Sequence, residues 1–276
     1  MGAYDVVVAV ANPDTVTRLV HLGCVLATEY DGRVTAVTVV DVEGAELPPG
    51  SEHHDRMTLG YDLLNAAEQV AESSGVEFHG RISVGRPIAE VLDEVAQAQA
   101  ARLIIVGYSE ANGSRPHNDK FARLIDEIAD HAPCDLLVAR FRGPERFERV
   151  LVPVSQRLNM EIRREFLTAL HNQLGARIEV VHFASSEEEG AAKHAELTAW
   201  LAERGVSDRV ELRVDVHTDP AEAIAAASAD YDAVVLGTAP LYEVRRRYFG
   251  AVPEHVADHA ACSAFILRAH AVHPRD

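Results

Sequence analysis

Along this chain, continuous β-branched runs alternate with stretches whose apolar residues recur every three or four positions. Val6–Val10 and Val34–Asp41 are runs of the first kind, as strands buried on both faces of a parallel sheet should be. Between them, Val16, Leu19, Val20, Leu22, Gly23 and Leu26 fall at helical spacing, which predicts a helix over Thr15–Tyr30. The same reading predicts a helix over Met57–Ser74, a strand at Phe78–Val84 and a helix from Pro87, proline being suited to a first turn. A strand at Leu103–Gly107, a long polar loop, a helix over Phe121–Ala132 and a strand at Asp135–Arg140 close the series.

The series is then written again. Val8-Ala9-Val10-Ala11-Asn12 returns as Val152-Pro153-Val154-Ser155-Gln156, and Gly85-Arg86-Pro87-Ile88-Ala89-Glu90 as Thr218-Asp219-Pro220-Ala221-Glu222-Ala223. Leu103-Ile104-Ile105-Val106-Gly107 returns as Ala233-Val234-Val235-Leu236-Gly237. His131-Ala132-Pro133-Cys134, followed by Leu136-Leu137-Val138, returns as His259-Ala260-Ala261-Cys262, followed by Phe265-Ile266-Leu267. Four landmarks in one order make an internal duplication. The offset falls from 144 to 128 residues, so the first copy has the longer loops. In the second copy the expected elements are Val150–Val154, Glu161–Leu174, Arg177–Phe183, Gly190–Glu203, Val210–His217, Pro220–Ala229, Ala233–Gly237, Val252–His259 and Ala264–Arg268. The polar stretch Phe141-Arg142-Gly143-Pro144-Glu145-Arg146 reads as the hinge, giving domains at 1–143 and 147–276. Strand–helix alternation makes each copy a doubly wound α/β unit with a five-stranded parallel sheet and helices on both faces.

These landmarks resemble the universal stress protein family, and the likeness extends over nearly the whole chain. They are the Val-Ala-Val or Val-Pro-Val of strand one, the Gly-Arg-Pro or Asp-Pro-Ala-Glu-Ala helix start, the fourth strand ending in glycine, and the His-Ala-Pro-Cys step into the last strand. The resemblance implies the adenine nucleotide alpha-hydrolase-like arrangement in both halves. It further implies a tandem member packed as a pseudo-dimer, with last strands Leu136–Arg140 and Ala264–Arg268 near each other, and self-association into a homodimer is an expected partnership. Some members of the family bind ATP or AMP, through Gly, two residues, Gly, nine residues, Gly, then Ser or Thr, with an Asp after strand one. Such a loop cradles phosphate on backbone N–H groups and a helix N-terminus.

The first copy departs widely from that pattern. Gly107 stands, but Glu110 takes the second glycine position, Ala122 and Arg123 take the third glycine and the Ser, and Ala11 takes the strand-one Asp. A carboxylate beside an incoming phosphate argues against nucleotide there. In the second copy Gly237, Pro240 and Gly250 keep the spacing, while Ala251 stands for the hydroxyl residue, Val252 follows it, and Ser155 stands for the Asp. Arg245, Arg246 and Arg247 lie in the loop that would cover phosphates. Two readings of them stand: they hold an anion, or they pair with neighbouring carboxylates or cap a domain interface. The resemblance thus implies ATP or AMP in the second copy, bound weakly.

Composition narrows the setting. The 276 residues carry 26 Lys+Arg and 43 Asp+Glu, a net charge of −17 that repels nucleic acid and anionic membrane surfaces. Lys120 and Lys193 are the lysines, an acidic arginine-rich balance that suits either a halophilic cytoplasm or a GC-rich genome. No apolar run reaches the ~18 residues a membrane helix needs, and the start has no signal-peptide pattern, so a cytoplasmic place and no membrane insertion are expected. Cys24, Cys134 and Cys262 lack the spacing of a zinc site or a disulfide framework. His53-His54-Asp55 reads as solvated loop, Glu187-Glu188-Glu189 as an acidic turn at a helix start, and His131 and His259 as helix-ending cations. No catalytic residue and no metal ligand is assigned. The expected role is a stress-response binding or regulatory protein. The alternatives are a slow ATP hydrolase, or the soluble regulatory partner of an amino-acid transporter. The last rests on Val10-Ala11-Asn12-Pro13, which resembles domains accompanying such transporters in salt-loving archaea.

Overall fold

The computed structural model describes residues 4–40, 52–108, 119–155, 158–203, 205–206, 209–238 and 251–270, with the backbone alone at 52–54, 119–123, 158–163 and 251. The chain divides into two compact units, one ending at Val138 and the next beginning at Ala139.

The first unit runs β1 (Val6–Ala9), α1 (Pro13–Tyr30), β2 (Arg33–Val40), α2 (Glu52–Ser74), β3 (Glu77–Val84), α3 (Ile88–Gln99), β4 (Leu103–Gly107), α4 (Asp119–His131) and β5 (Asp135–Arg140), whose last residues pass into the second unit. Its strand order is β3-β2-β1-β4-β5. β1 lies parallel to both β2 and β4, with Val6 opposite Val34 and Leu103. Val6, Val7 and Val8 are all fully buried. Successive strand residues face opposite sides, so both faces of this sheet are covered.

Local chemistry explains the element ends. Asn12 caps α1 by accepting from the Asp14 N–H at 2.9 Å, with Pro13 in the first turn. Pro87 stands just outside α3 as its N-cap residue rather than inside the first turn. The stretch read as loop around His53-His54-Asp55 is helical from Glu52, and Asp55 is exposed. The His53 and His54 side chains lie outside the described residues. Glu94 on α3 accepts from Arg81 Nη2 at 2.7 Å and Arg86 Nη1 at 2.6 Å, and these guanidiniums hold its carboxyl at about 2.

The second unit contains β6 (Arg149–Pro153), α5 (Leu158–Leu174), β7 (Arg177–Ala184), α6 (Glu187–Glu203), β8 (Val210–Val216), α7 (Pro220–Ala227), β9 (Ala233–Gly237), α8 (Ala251–His259) and β10 (Ser263–Arg268). Its strand order is β10-β9-β6-β7-β8, with β6–β7, β7–β8, β6–β9 and β9–β10 all parallel. The acidic turn is the start of α6: Glu189 accepts from the Ser185 N–H at 2.9 Å and Ser186 Oγ accepts from the Glu189 N–H at 3.2 Å, a capping exchange. Asp219 caps α7 through the N–H groups of Ala221 and Glu222.

Phe265 on β10 is fully buried and meets Phe141, Phe147 and Phe166 edge-on at centroid distances of 5.9, 5.2 and 5.6 Å. The stretch read as a polar hinge is therefore bound into this core. Arg140 donates to the Ala257 carbonyl and lies 3.2 Å from Asp258 Oδ1; Arg142 donates to the carbonyls of Ala260 and, at 2.9 Å, Asp258. Two guanidiniums so satisfy carbonyls that the end of α8 leaves without intrahelical partners.

Two outcomes follow. Phe265→Ala should cost about 3–5 kcal/mol in urea denaturation, since three edge-on rings lose their common partner. The Glu94 carboxyl is depressed below its ordinary 4.5, so its contribution to stability is present above pH 4.5 and lost as pH falls through about 2. Glu94→Gln should flatten the fall in denaturation midpoint over that interval.

Candidate functional site

Strand order reverses between β6 and β9: the chain winds outward through β7 and β8 on one side and through β10 on the other. Doubly wound sheets bind ligands at the carboxyl ends of strands at such a reversal. Here β6 and β9 register at Val150↔Ala233 and Leu151↔Val234, against four registered pairs between β1 and β4. Pro153, ending β6, has no N–H to give. Val154 turns instead to β7, its N–H donating to the Val181 carbonyl at 2.8 Å.

Of the residues singled out by sequence, Ser155 follows this turn and is exposed, and Gly237 ends β9. Ala251 opens α8, and Val252, in its first turn, is 37% exposed. Pro240, Arg245, Arg246, Arg247 and Gly250 lie outside the described residues, as does Glu110 of the first copy, together with the side chains of Ala122, Arg123 and Ala251. Gly107 has a packing role of its own: a Cβ there would come within 2.9 Å of Leu19 Cδ1, and Leu19 is buried. That glycine needs no ligand to explain it.

Two residues at the carboxyl ends escaped the motif arithmetic. Thr238 follows Gly237; its N–H donates to the Leu267 carbonyl at 3.1 Å, while its buried Oγ1 has no partner among the described residues. His182, near the end of β7, is 6% exposed. Its Nδ1 donates to the Val154 carbonyl at 2.8 Å, and its buried Nε2 has no partner among the described residues. A polar residue inside the apolar run Val180-Val181-His182-Phe183 was the available signal for the second, and the first lay between two counted glycine positions. The Thr238 hydroxyl and the amino end of α8 can hold a small polar or anionic group by hydrogen bonding.

The recurrent histidines do end their helices: His131 Nδ1 is 2.8 Å from the Glu127 carbonyl and His259 Nδ1 is 2.8 Å from that of His255. The first contact raises the His131 pKa. The cysteines are buried thiols. Burial pushes Cys24 up to about 11, Cys134 to about 12 and Cys262 to about 11. Among the described residues no group of His, Cys, Asp or Glu could hold a metal ion, and no helix is long and apolar enough to cross a membrane.

Comparison with known proteins gives one family. The sequence model of the universal stress protein family matches residues 4–140 and again 146–268. A universal stress protein from Archaeoglobus fulgidus superposes with TM-score 0.68 at 12% identity, over 99% of this chain and 100% of that one. The cytoplasmic domain of a prokaryotic cation chloride cotransporter superposes with TM-score 0.61 at 12% identity, over 96% and 95%. A curated relative, the Na(+)/H(+) antiporter NhaS5 of Synechocystis sp., is 25% identical over 257 residues, which is 91% of this chain and 36% of that protein. The chain therefore spans about a third of the antiporter's length.

For the thiols, a disulfide reagent at pH 8 should label the native protein at least about a hundredfold more slowly than the urea-unfolded chain, because a rise of two pKa units removes that much thiolate. Absorbance of the released thiol gives both rates.

Proposed function

Because the chain belongs to the universal stress protein family, we propose that it is a binding and regulatory module whose second copy takes a nucleotide or similar anion weakly and performs no catalysis on it. The observation that carries this reading is the buried Oγ1 of Thr238 beside Gly237, at the strand reversal, which has no partner among the described residues. Buried hydroxyls are nearly always bonded, so this one supports a ligand-facing role. Ser155 supplies a second hydroxyl, and Arg245, Arg246 and Arg247 bring cations to the stretch of sequence between β9 and α8. Against tight binding, Pro240 has no N–H and Ala251 no hydroxyl. Each loss costs about 1–3 kcal/mol where a phosphate oxygen goes unsatisfied, which moves a micromolar site to roughly millimolar affinity. The first copy, with Glu110 in its loop, contributes no nucleotide site on this reading.

A second reading is favoured by the antiporter match, which takes in both copies rather than one. On it, the chain senses its ligand on behalf of an ion transporter, as a separate partner or as part of a longer protein. The transporters named by the comparisons move cations, with chloride in one case, so the amino-acid transporter expected from the first residues gives way to an ion transporter in this proposal.

Calorimetry and thermal unfolding of the full chain with magnesium ATP and with AMP test the first reading. Ligand at ten times its Kd should add about 1.4 kcal/mol of apparent stability. Thr238→Val, and separately Arg245, Arg246 and Arg247 all changed to Ala, should weaken binding, with no phosphate release from ATP in any form. Equal affinity in all three proteins would overturn the assignment of the site. For the second reading, purification of the full chain from crosslinked, detergent-solubilised cells should recover an ion transporter, and recovery of no membrane protein argues against it.

A further inference from the structure

The second unit also opens at the other end of its sheet. A cavity of about 60 Å³ lies among α5, α6, β7 and β8. Leu167, Ile178, Val180, Trp200, Leu201 and Val206 form most of its wall. Arg164 and Arg209 complete it, and both are exposed. Arg209 immediately precedes β8, and His171, also in the wall, has its Nδ1 3.0 Å from the carbonyl of Ala176, which immediately precedes β7. The cationic rim is therefore at the amino ends of these strands, opposite the carboxyl-end crevice of Ser155 and Gly237.

We propose that this cavity is a second ligand site, which takes a short-chain aliphatic carboxylate, its hydrocarbon inside and its carboxylate between Arg164 and Arg209. Three observations converge. First, the wall is apolar enough to give water few partners, so a chain of carbon atoms is the better occupant. The volume is below the ~150 Å³ of an engineered cavity that admits benzene, so a narrow chain fits where a ring does not. Second, among the described residues neither guanidinium has an ion-pair or side-chain hydrogen-bond partner and no carboxylate lines the cavity, in a protein of net charge −17. Two guanidiniums at one opening match a carboxylate in charge and in planar geometry.

Third, the arrangement belongs to one copy. Register places Val34 opposite Phe78 and Ile178 opposite Val210. Counting from these anchors, Arg209 corresponds to Glu77, Arg164 to Val20 and Leu167 to Gly23. Gly23 lets α1 close on its sheet, where a Cβ would meet Val8 at 3.2 Å and Val34 at 3.3 Å. Glu77 is paired with Arg33 and His79. The first copy thus has a packed interface and an acidic rim at the place where the second has a cavity and two cations.

Trp200 is the sole tryptophan of the chain and stands in the wall, so its emission reports occupancy directly. The full chain is titrated with hexanoate and, separately, with hexan-1-ol, in wild type and in Arg164→Gln/Arg209→Gln. Both substituted positions are exposed, so the variant should fold. Hexanoate should change Trp200 emission saturably, the alcohol should bind at least about tenfold more weakly, and the double variant should raise the hexanoate Kd about tenfold or more. Saturating AMP should leave that Kd unchanged, since the crevice is at the opposite strand ends. No saturable change in emission, or equal hexanoate affinity in wild type and double variant, would overturn the proposal. Val206→Phe, which fills the cavity, should abolish the response while both arginines remain; an unaltered response there would also overturn it.

Discussion

Burying parallel strands on both faces is the constraint from which the rest of each unit follows. In β6, Val150, Leu151 and Val152 are fully buried in succession, as Val6, Val7 and Val8 are in β1. A strand in that position cannot be joined to its parallel neighbour by a tight turn. The chain must cross back over a face, and each crossover helix covers apolar residues that would otherwise meet water. All carboxyl ends then lie on one side of the sheet and all amino ends on the other. Where the winding direction reverses, between β6 and β9, no crossover bridges the gap, and the crevice bearing Ser155, Gly237 and Thr238 is what remains. The amino-end cavity has a different origin. It forms inside one helical layer, where side-chain volumes fail to fill the space that α5 and α6 leave above β7 and β8.

The two copies differ within this frame at a few corresponding places. Thr38 and His182 occupy corresponding places in β2 and β7, and both are buried. A threonine hydroxyl can turn to suit a nearby carbonyl, whereas an imidazole that gives its Nδ1 proton to the Val154 carbonyl keeps its other nitrogen fixed. Gly107 and Gly237 likewise hold equivalent strand ends. In the first copy the glycine is explained by the approach of Leu19, so retention of the residue is no sign of a phosphate nest.

Periodicity was sufficient for the fold because the inner strands β1, β4 and β9 are wholly apolar and the stretches between strands carry helical spacing. The Asn12-Pro13 and Asp219-Pro220 pairs announce α1 and α7, and the strand ends fall within a residue or two of the expected places. The start of α2 was not legible: Glu52, His53 and His54 carry no apolar signal, and helix continues there from the amphipathic turns that follow. The segment 141–146 looked like a linker because it is polar. Its Arg142 is there for another reason, since it serves carbonyls at the end of α8, a contact across more than a hundred residues that no local pattern reveals. At the site, glycine spacing located Gly237 but passed over Thr238 and His182, whose interest lies in what their buried atoms lack. The cavity was invisible for the same reason, being a deficit of volume among residues from four elements.

A net charge of −17 does not by itself forbid a small-anion site, and the distances over which charge acts show why. At physiological salt, charges are screened over about 8 Å. On the proposed reading a small anion in the cavity mouth answers first to Arg164 and Arg209 of its wall, and charges more than a screening length away count little. A polyanion or a charged bilayer meets many surface carboxylates at once, and repulsion then adds over the whole contact. An acidic surface on this principle discriminates by ligand size, since a polyanion meets summed repulsion while a small anion answers mainly to the cations nearest it. On the proposed reading arginines are the cations suited to such sites, because their planar donors hold a single carboxylate or phosphate without relying on a long-range field.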